Sequence, residues 1–95
     1  SIPEQFALHQ NYPNPFNPNT TIRYELPEPA EVQVLIYDLR GRLIRTLVNE
    51  TQTAGYKTLI WDGSNHRGKP GSAGVYLCHI VAGEYTKTIK MVSLK

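Results

Sequence analysis

The side chains that could supply a nucleophile and its base are Cys78 and three histidines, His9, His66 and His79. Nucleophilic catalysis needs a base within hydrogen-bond distance of the nucleophile, and these residues lie in unrelated sequence contexts. His9 belongs to a Pro- and Asn-rich stretch, His66 to a Gly-rich stretch, and His79 to an apolar strand pattern. We predict a non-enzymatic protein with no catalytic residue and no cofactor, and a buried thiol at Cys78.

Acidic residues could act as a general acid and base or as metal ligands. Three of them lie around a Pro-bearing turn: Glu25, Glu28 and Glu31. We interpret them as solvated charges, since a glycosidase pair is held at a fixed separation. Residues 62–68 space oxygen ligands between glycines, as calcium loops do, but they lack the further acidic ligands, and Arg67 would repel a cation. We predict no metal site and expect Asp62 to accept hydrogen bonds from loop backbone.

Trp61 is the only tryptophan and has two interpretations. An exposed Trp with tyrosines nearby is a stacking platform for sugars, so Trp61 could belong to a carbohydrate-binding surface. It shares strand parity with Leu59, and a small sandwich commonly centres its core on a large aromatic residue, so we favour a core role. The burial of its ring decides between the two.

Length and charge limit the remaining classes of function. The chain has 95 residues, enough for one compact core that buries about two-thirds of the unfolded surface. The net charge is +2 and the basic residues are scattered singly, so we expect no nucleic-acid partner. No apolar run approaches the roughly 20 residues that span a bilayer, so we expect a soluble domain without membrane insertion. Because the sequence starts at Ser1 rather than Met, we expect a fragment of a larger protein, in which a targeting peptide is either absent or lies outside the fragment.

The pattern from residue 20 onward is typical of β-strands, because apolar and polar residues alternate and no helical period is sustained. The predicted strands cover residues 20–26, 31–38, 42–49, 56–61, 75–81 and 85–94. Gly-bearing turns at 38–41 and 82–84 join neighbouring strands, whereas the polar loop at 49–55 is expected to connect two sheets. The pattern predicts an all-β, immunoglobulin-like antiparallel β-sandwich of about six to seven strands over residues 20–95, with a small barrel as the alternative.

Residues 1–19 form a separate Pro- and Asn-rich segment, which we call the arm. Each X-Pro unit favours extended backbone before the proline, and Asn side chains can bond nearby backbone groups. We expect an extended arm that is ordered where Tyr12 or Phe16 docks on the sandwich. It either braces the packing of the sandwich, with these two rings as plugs, or presents a surface to a receptor.

Several stretches of the sequence are too specific to be generic linker or strand. They are Asn11-Tyr12-Pro13-Asn14-Pro15-Phe16-Asn17-Pro18, Ile22-Arg23-Tyr24-Glu25-Leu26-Pro27, Ile36-Tyr37-Asp38-Leu39-Arg40-Gly41-Arg42, Trp61-Asp62-Gly63, Gly74-Val75-Tyr76 and Lys90-Met91-Val92-Ser93-Leu94-Lys95. Together they closely resemble the type A carboxyl-terminal sorting domain of the type IX, or Por, secretion system. They are also similar to the immunoglobulin-like domain of the flagellar hook-capping protein.

The resemblance implies a non-catalytic sorting and attachment module that follows an upstream cargo domain in the same chain. It implies recognition by outer-membrane secretion machinery, and export through the periplasm of a Gram-negative-type bacterium to the cell surface or the medium. Recognition would lie in the last strand, at Lys90, Met91, Val92, Leu94 and Lys95. Two alternatives stay open: a carbohydrate-binding accessory domain of a secreted polysaccharide-degrading enzyme, and a structural spacer or assembly domain.

Overall fold

The computed structural model of the chain describes residues 1–94. These residues form seven β-strands and no helix: β1 (Ala7–Leu8), β2 (Thr20–Leu26), β3 (Ala30–Asp38), β4 (Leu43–Gln52), β5 (Gly55–Trp61), β6 (Gly74–Ala82) and β7 (Tyr85–Ser93). Accordingly, no helix in this part of the chain has the length and hydropathy needed to cross a bilayer.

The strands form two antiparallel sheets. The first sheet has the order β1-β2-β5, and the second has the order β4-β3-β6-β7. The predicted all-β sandwich is confirmed, and the barrel alternative is wrong because the two sheets remain separate. The polar loop after β4 takes the chain from the second sheet to the first, as its composition predicted.

Six strands follow the predicted pattern, and one does not. The structure has β2 at its predicted bounds, and the other five lie within one to three residues of theirs. The largest difference is at β4, which continues through Gln52 because residues 50–52 pair with residues 30–32 of β3. The additional strand is β1, which pairs with β2 through Ala7 opposite Glu25 and Leu8 opposite Tyr24. A strand of two residues is too short to show an alternating period.

The core lies between the sheets and is filled by alternate residues of the long strands. The buried apolar residues are Leu8, Phe16, Ile22, Tyr24, Leu26, Val32, Val34, Ile36, Val48, Trp61, Tyr76, Cys78, Ile80, Ala82, Ile89 and Met91. Burying one large aliphatic or aromatic side chain of this kind contributes about 1.5–3 kcal/mol. Two members, Leu8 and Phe16, come from the arm, so the arm supplies part of the core.

The turn between β3 and β4 holds the register of the second sheet. The Oδ1 atom of Asp38 accepts hydrogen bonds from the backbone N–H groups of Arg40 (2.9 Å) and Arg42 (3.0 Å). These bonds, with the Arg42 guanidinium beside the carboxylate, lower the pKa of Asp38 below its ordinary value. Gly41 completes the turn at φ +84°, a conformation that L side chains rarely adopt.

Candidate functional site: the seam between the arm and the last strand

The arm runs along the outer edge of β7 and is hydrogen-bonded to it. Phe16 donates its backbone N–H to the carbonyl of Val92 (2.9 Å) and accepts from the N–H of Leu94 (2.9 Å). The Val92 N–H donates to the Oδ1 atom of Asn14 (2.9 Å), and the Nε2 atom of Gln10 donates to the Lys90 carbonyl (2.7 Å). We call this row of contacts the seam. It satisfies backbone groups that the edge strand would otherwise leave unpaired.

A second set of hydrogen bonds fixes the shape of the arm itself. Asn11 is buried, and its Nδ2 atom donates to the Oγ1 atom of Thr20 (2.9 Å) and to the carbonyl of Pro13 (3.3 Å). The Thr20 hydroxyl donates to the same carbonyl (2.9 Å). The backbone of Tyr12 pairs with Thr21 through two bonds of 2.8 and 3.0 Å. Three X-Pro bonds in this segment are cis, before Pro13, Pro15 and Pro18. The hydrogen bonds among Asn11, Pro13 and Thr20 hold the two ends of this segment together.

The two aromatic rings of the arm motif have opposite environments. Phe16 is 1% exposed and its ring centroid lies 5.5 Å from that of Trp61. Tyr12 is 73% exposed and projects from the arm. The prediction that Phe16 docks on the sandwich is confirmed, and the prediction that Tyr12 serves as a plug is wrong. Tyr12 points outward because its backbone, rather than its ring, is the part that pairs with β2.

The side chains of the last strand alternate between the core and the surface from Ile89 onward, whereas Thr86, Lys87 and Thr88 are all exposed. Met91 is fully buried, so any effect of this residue on recognition acts through the packing of the sandwich. Lys90 and Leu94 are exposed, and Val92 is partly exposed. The predicted recognition residue Lys95 lies outside the described residues. The outward-facing side chains of the part of the chain that lies in the seam are thus Lys90, Val92 and Leu94.

The structure brings together two sets of residues that the sequence presented as separate. The arm motif and the last strand are 78 residues apart at the contact between Asn14 and Val92. Sequence reasoning missed Gln10 in the seam, and it missed Phe6, whose ring stacks on Tyr85 at 5.4 Å. Lys87 adds another link, since its Nζ atom donates to the Leu8 carbonyl (3.1 Å). Phe6 and Leu8 are apolar residues two positions apart, but two positions are too few to distinguish a docked strand from a linker.

Trp61 lies in the core, as the favoured interpretation predicted. It is 1% exposed, its ring contacts Phe16 and Tyr76, and its Nε1 atom donates to the Ser64 carbonyl (2.9 Å). A sugar ring stacks on an open aromatic face, and this indole has none. The neighbouring loop is closed by Asp62, whose Oδ1 atom accepts from the N–H of Ser64 (3.0 Å) as predicted. Hydrogen bonds from the Ser64 hydroxyl and N–H lower the pKa of Asp62.

The histidines and the cysteine have separate environments. His9 contacts Glu25 and so ties the arm to β2. The Nδ1 atom of His79 lies 2.7 Å from the Oγ1 atom of Thr88, its neighbour across β6 and β7 on the outer face of the second sheet. Burial raises the pKa of the Cys78 thiol to about 12. Within the described part of the chain, no group of three or more His, Cys, Asp or Glu residues could hold a metal ion.

Comparison with known proteins identifies the family. The FlgD Ig-like domain family matches residues 17–85. The chain belongs to this family. The match to the FlgD Ig-like domain covers β2 through β6, whereas Asn14, Phe16 and most of β7 lie outside it. The residues that form the seam therefore lie outside the part of the chain that the family model matches. No curated protein matches the chain.

Several solved structures share the fold of this FlgD Ig-like domain. Dimeric latent PorU from Porphyromonas gingivalis is 22% identical over 94% of the chain, with a TM-score of 0.72. PorZ, an essential surface component of the type-IX secretion system of P. gingivalis, is 22% identical over 95%, with a TM-score of 0.62. FlgD from P. aeruginosa is 24% identical over 78%, with a TM-score of 0.60. The chain spans 9% of PorU, 11% of PorZ and 58% of FlgD.

Proposed function

We propose that this domain is a non-catalytic sorting and attachment module of a secreted bacterial protein, recognised by outer-membrane secretion machinery. Its upstream neighbour in the same chain would be the cargo, and the protein would reach the cell surface or the medium. The observation that carries the proposal is the seam. It joins the arm motif and the last strand, the two segments that resemble type IX sorting domains, into one continuous surface.

The similarity to PorZ and PorU supports the same assignment. Both similarities extend over more than nine-tenths of the chain, and PorZ is a surface component of the type-IX secretion system. Family membership alone is compatible with an assembly or spacer role, since the family is named after FlgD. The sorting role therefore has to be tested on residues outside the family match.

The seam restricts how a receptor could recognise the last strand. An extended receptor segment commonly adds to a sheet edge by backbone pairing. Here the outward backbone groups of Val92 already bond with Asn14 and Phe16. A receptor would instead contact exposed side chains on either side of the seam: Lys90 on β7, Leu94 directly after β7, and Tyr12 on the arm. Because these side chains come together only on the folded surface, the sandwich must be folded when the receptor binds it.

The proposal can be tested by fusing the 95-residue domain after a periplasmically exported reporter in a bacterium with a type IX system. The double variant Lys90→Ala/Leu94→Ala removes the two exposed side chains beside the seam. We expect the reporter to accumulate in the periplasm, with surface and medium fractions falling at least about tenfold, since two exposed contacts of about 1 kcal/mol each are lost. Fractionation and immunoblotting measure the distribution.

The matched control is Lys69→Ala/Leu39→Ala, which removes the same two residue types from exposed positions elsewhere. Its distribution should equal that of the parent domain. Both double variants should keep the thermal midpoint of the parent, which shows that secretion and not folding is affected. Normal export of the Lys90→Ala/Leu94→Ala fusion would contradict the sorting role and leave the spacer or assembly role.

A further inference from the structure

The four outer strands of the two sheets are protected to different degrees. The arm covers β7 through the seam, and β1, itself part of the arm, accepts a hydrogen bond at its Leu8 carbonyl from the Nζ atom of Lys87 (3.1 Å). The register of β4 with β3 shifts twice, and its edge accepts a bond from the His66 N–H at the Ile44 carbonyl (3.0 Å). Bulges and covering loops are the usual means by which proteins block strand addition. Within residues 1–94, β5 has neither a bulge nor a covering loop, its one charged residue is Lys57, whose Nζ atom donates to the Oγ1 atom of Thr53 (3.4 Å), and it pairs only with β2.

The direction of the free backbone groups on β5 follows from the pairing of β2. The N–H and carbonyl of Thr21 bond with Tyr12, and the carbonyl of Arg23 accepts from the His9 N–H (3.0 Å). These groups therefore point away from β5. Thr21 and Arg23 lie opposite Ile60 and Thr58, which must then be non-hydrogen-bonded pairs.

Every second residue of β5 thus turns its backbone outward. Tyr56, Thr58 and Ile60 direct their N–H and carbonyl groups to the open edge, because residues in such pairs bond on their other side. The side chains of the same residues lie on the outer face of the first sheet. Tyr56 is 63% exposed and Ile60 is 67% exposed. Two large apolar side chains on an open strand edge form a surface suited to strand pairing.

The order of residues along β5 is self-complementary. If a second copy pairs antiparallel with Thr58 opposite Thr58, then Tyr56 lies opposite Ile60 of the other copy, and Ile60 lies opposite its Tyr56. Aromatic with β-branched pairs and Thr with Thr pairs are favourable across strands. On the inner face, Lys57 lies opposite Leu59 of the other copy, so no like charges are placed directly opposite.

We propose that the β5 edge is a homodimerisation surface, in which two copies pair antiparallel about Thr58 and form a continuous six-stranded sheet. Each of the three pairs centred on Thr58 exchanges two backbone hydrogen bonds. The contact uses the same edge on both copies, so it closes at the dimer and does not grow. A single strand pair buries little surface, so the dimer is weak and concentration-dependent.

Sedimentation velocity of the full 95-residue chain tests the proposal. Between about 10 μM and about 1 mM, where small interfaces associate, we expect the mass to rise from 10.7 kDa toward twice that value. Hydrogen exchange at both concentrations should show about tenfold slower exchange of the Tyr56, Thr58 and Ile60 amides at the higher one. The amides of Lys57 and Leu59, which face β2, should not change. A monomer at about 1 mM, or exchange independent of concentration, overturns the proposal.

Two variants separate edge pairing from stacking of the outer sheet faces. Thr58→Pro removes an outward N–H without disturbing the ladder to β2, because proline is accepted at edge positions whose N–H faces solvent. Ile60→Lys places a charge opposite Tyr56 of the other copy and serves if the proline variant does not fold. Both should remain monomeric.

The matched control is Tyr12→Lys, which removes an exposed apolar ring from the same sheet face. Tyr12 lies in a row with Thr21 and Ile60, about 10 Å from β5, two strand spacings away. It should dimerise like the parent chain. Loss of dimerisation in this variant to the same extent as in Ile60→Lys would indicate face stacking and contradict pairing at the edge.

Discussion

Replacement of Phe16 by alanine tests whether the arm is part of the folded domain. The ring is 1% exposed and packs against Trp61, and deletion of a buried phenylalanine ring typically costs about 3–5 kcal/mol. A domain of this length has a free energy of unfolding of about 5–14 kcal/mol. We therefore expect Phe16→Ala to remove about a fifth or more of the free energy of unfolding. The backbone bonds of Phe16 to β7 would weaken at the same time.

Tyr12→Ala is the matched control, because it removes an aromatic ring from the same arm at a position that is 73% exposed. We expect a change within about 0.5 kcal/mol, as for surface residues in general. Urea unfolding followed by the fluorescence of Trp61, the only tryptophan, gives both free energies from the midpoints if the slope is unchanged.

The thermal midpoint provides a second measurement of the same effect. One kcal/mol corresponds to about 4–8 °C for a domain of this size, so Phe16→Ala should lower the midpoint by at least about 12 °C. A loss below about 1 kcal/mol, or equal losses for Phe16→Ala and Tyr12→Ala, would refute the assignment of Phe16 to the core and return the arm to the role of a linker.

Two further predictions concern ionisable groups. Cys78 should not react with a thiol reagent at pH 8.5 in the folded protein, since burial raises its pKa to about 12. The reaction should appear only when denaturant is added. Rapid labelling without denaturant would contradict the burial of Cys78. Because hydrogen bonds lower the pKa of Asp62 in the folded state, its contribution to stability is present above pH about 4 and is lost as the pH falls through the lowered pKa. The free energy of unfolding of Asp62→Asn, measured by urea titration, should therefore depend less steeply on pH between about 4 and about 2 than that of the parent. An unchanged pH dependence would show that Asp62 does not contribute.

The strands could be predicted from sequence because their physical signal is local. In β2, Ile22, Tyr24 and Leu26 alternate with polar residues, and each of the three is buried. The turn at Asp38 was also predictable, since an acceptor side chain and a glycine at short spacing specify it. Trp61 was assigned to the core from its parity with Leu59, although Leu59 itself is only partly buried.

The seam could not be predicted, because its partners are distant in sequence and bond mainly through backbone. Nothing in the order of residues 90–94 indicates that their outer edge is covered by Asn14 and Phe16. Tyr12 and Phe16 are both aromatic residues of the same Pro- and Asn-rich segment, and composition does not distinguish the ring that is buried from the ring that is exposed. The pairing of Tyr12 with Thr21 and that of Phe16 with Ser93 determine which way each side chain points.

The contact between Asn14 and Val92 also affects the time course of folding. Contacts at a separation of 78 residues require closure of almost the whole chain, which is a slow event compared with hairpin formation. In a chain that emerges amino end first, Phe16 and the side of Trp61 that it covers in the folded domain stay in water until residues 90–94 have followed. The domain therefore completes folding only after β7 has been synthesised. A product truncated within β7 would leave apolar core residues exposed and accessible to proteases.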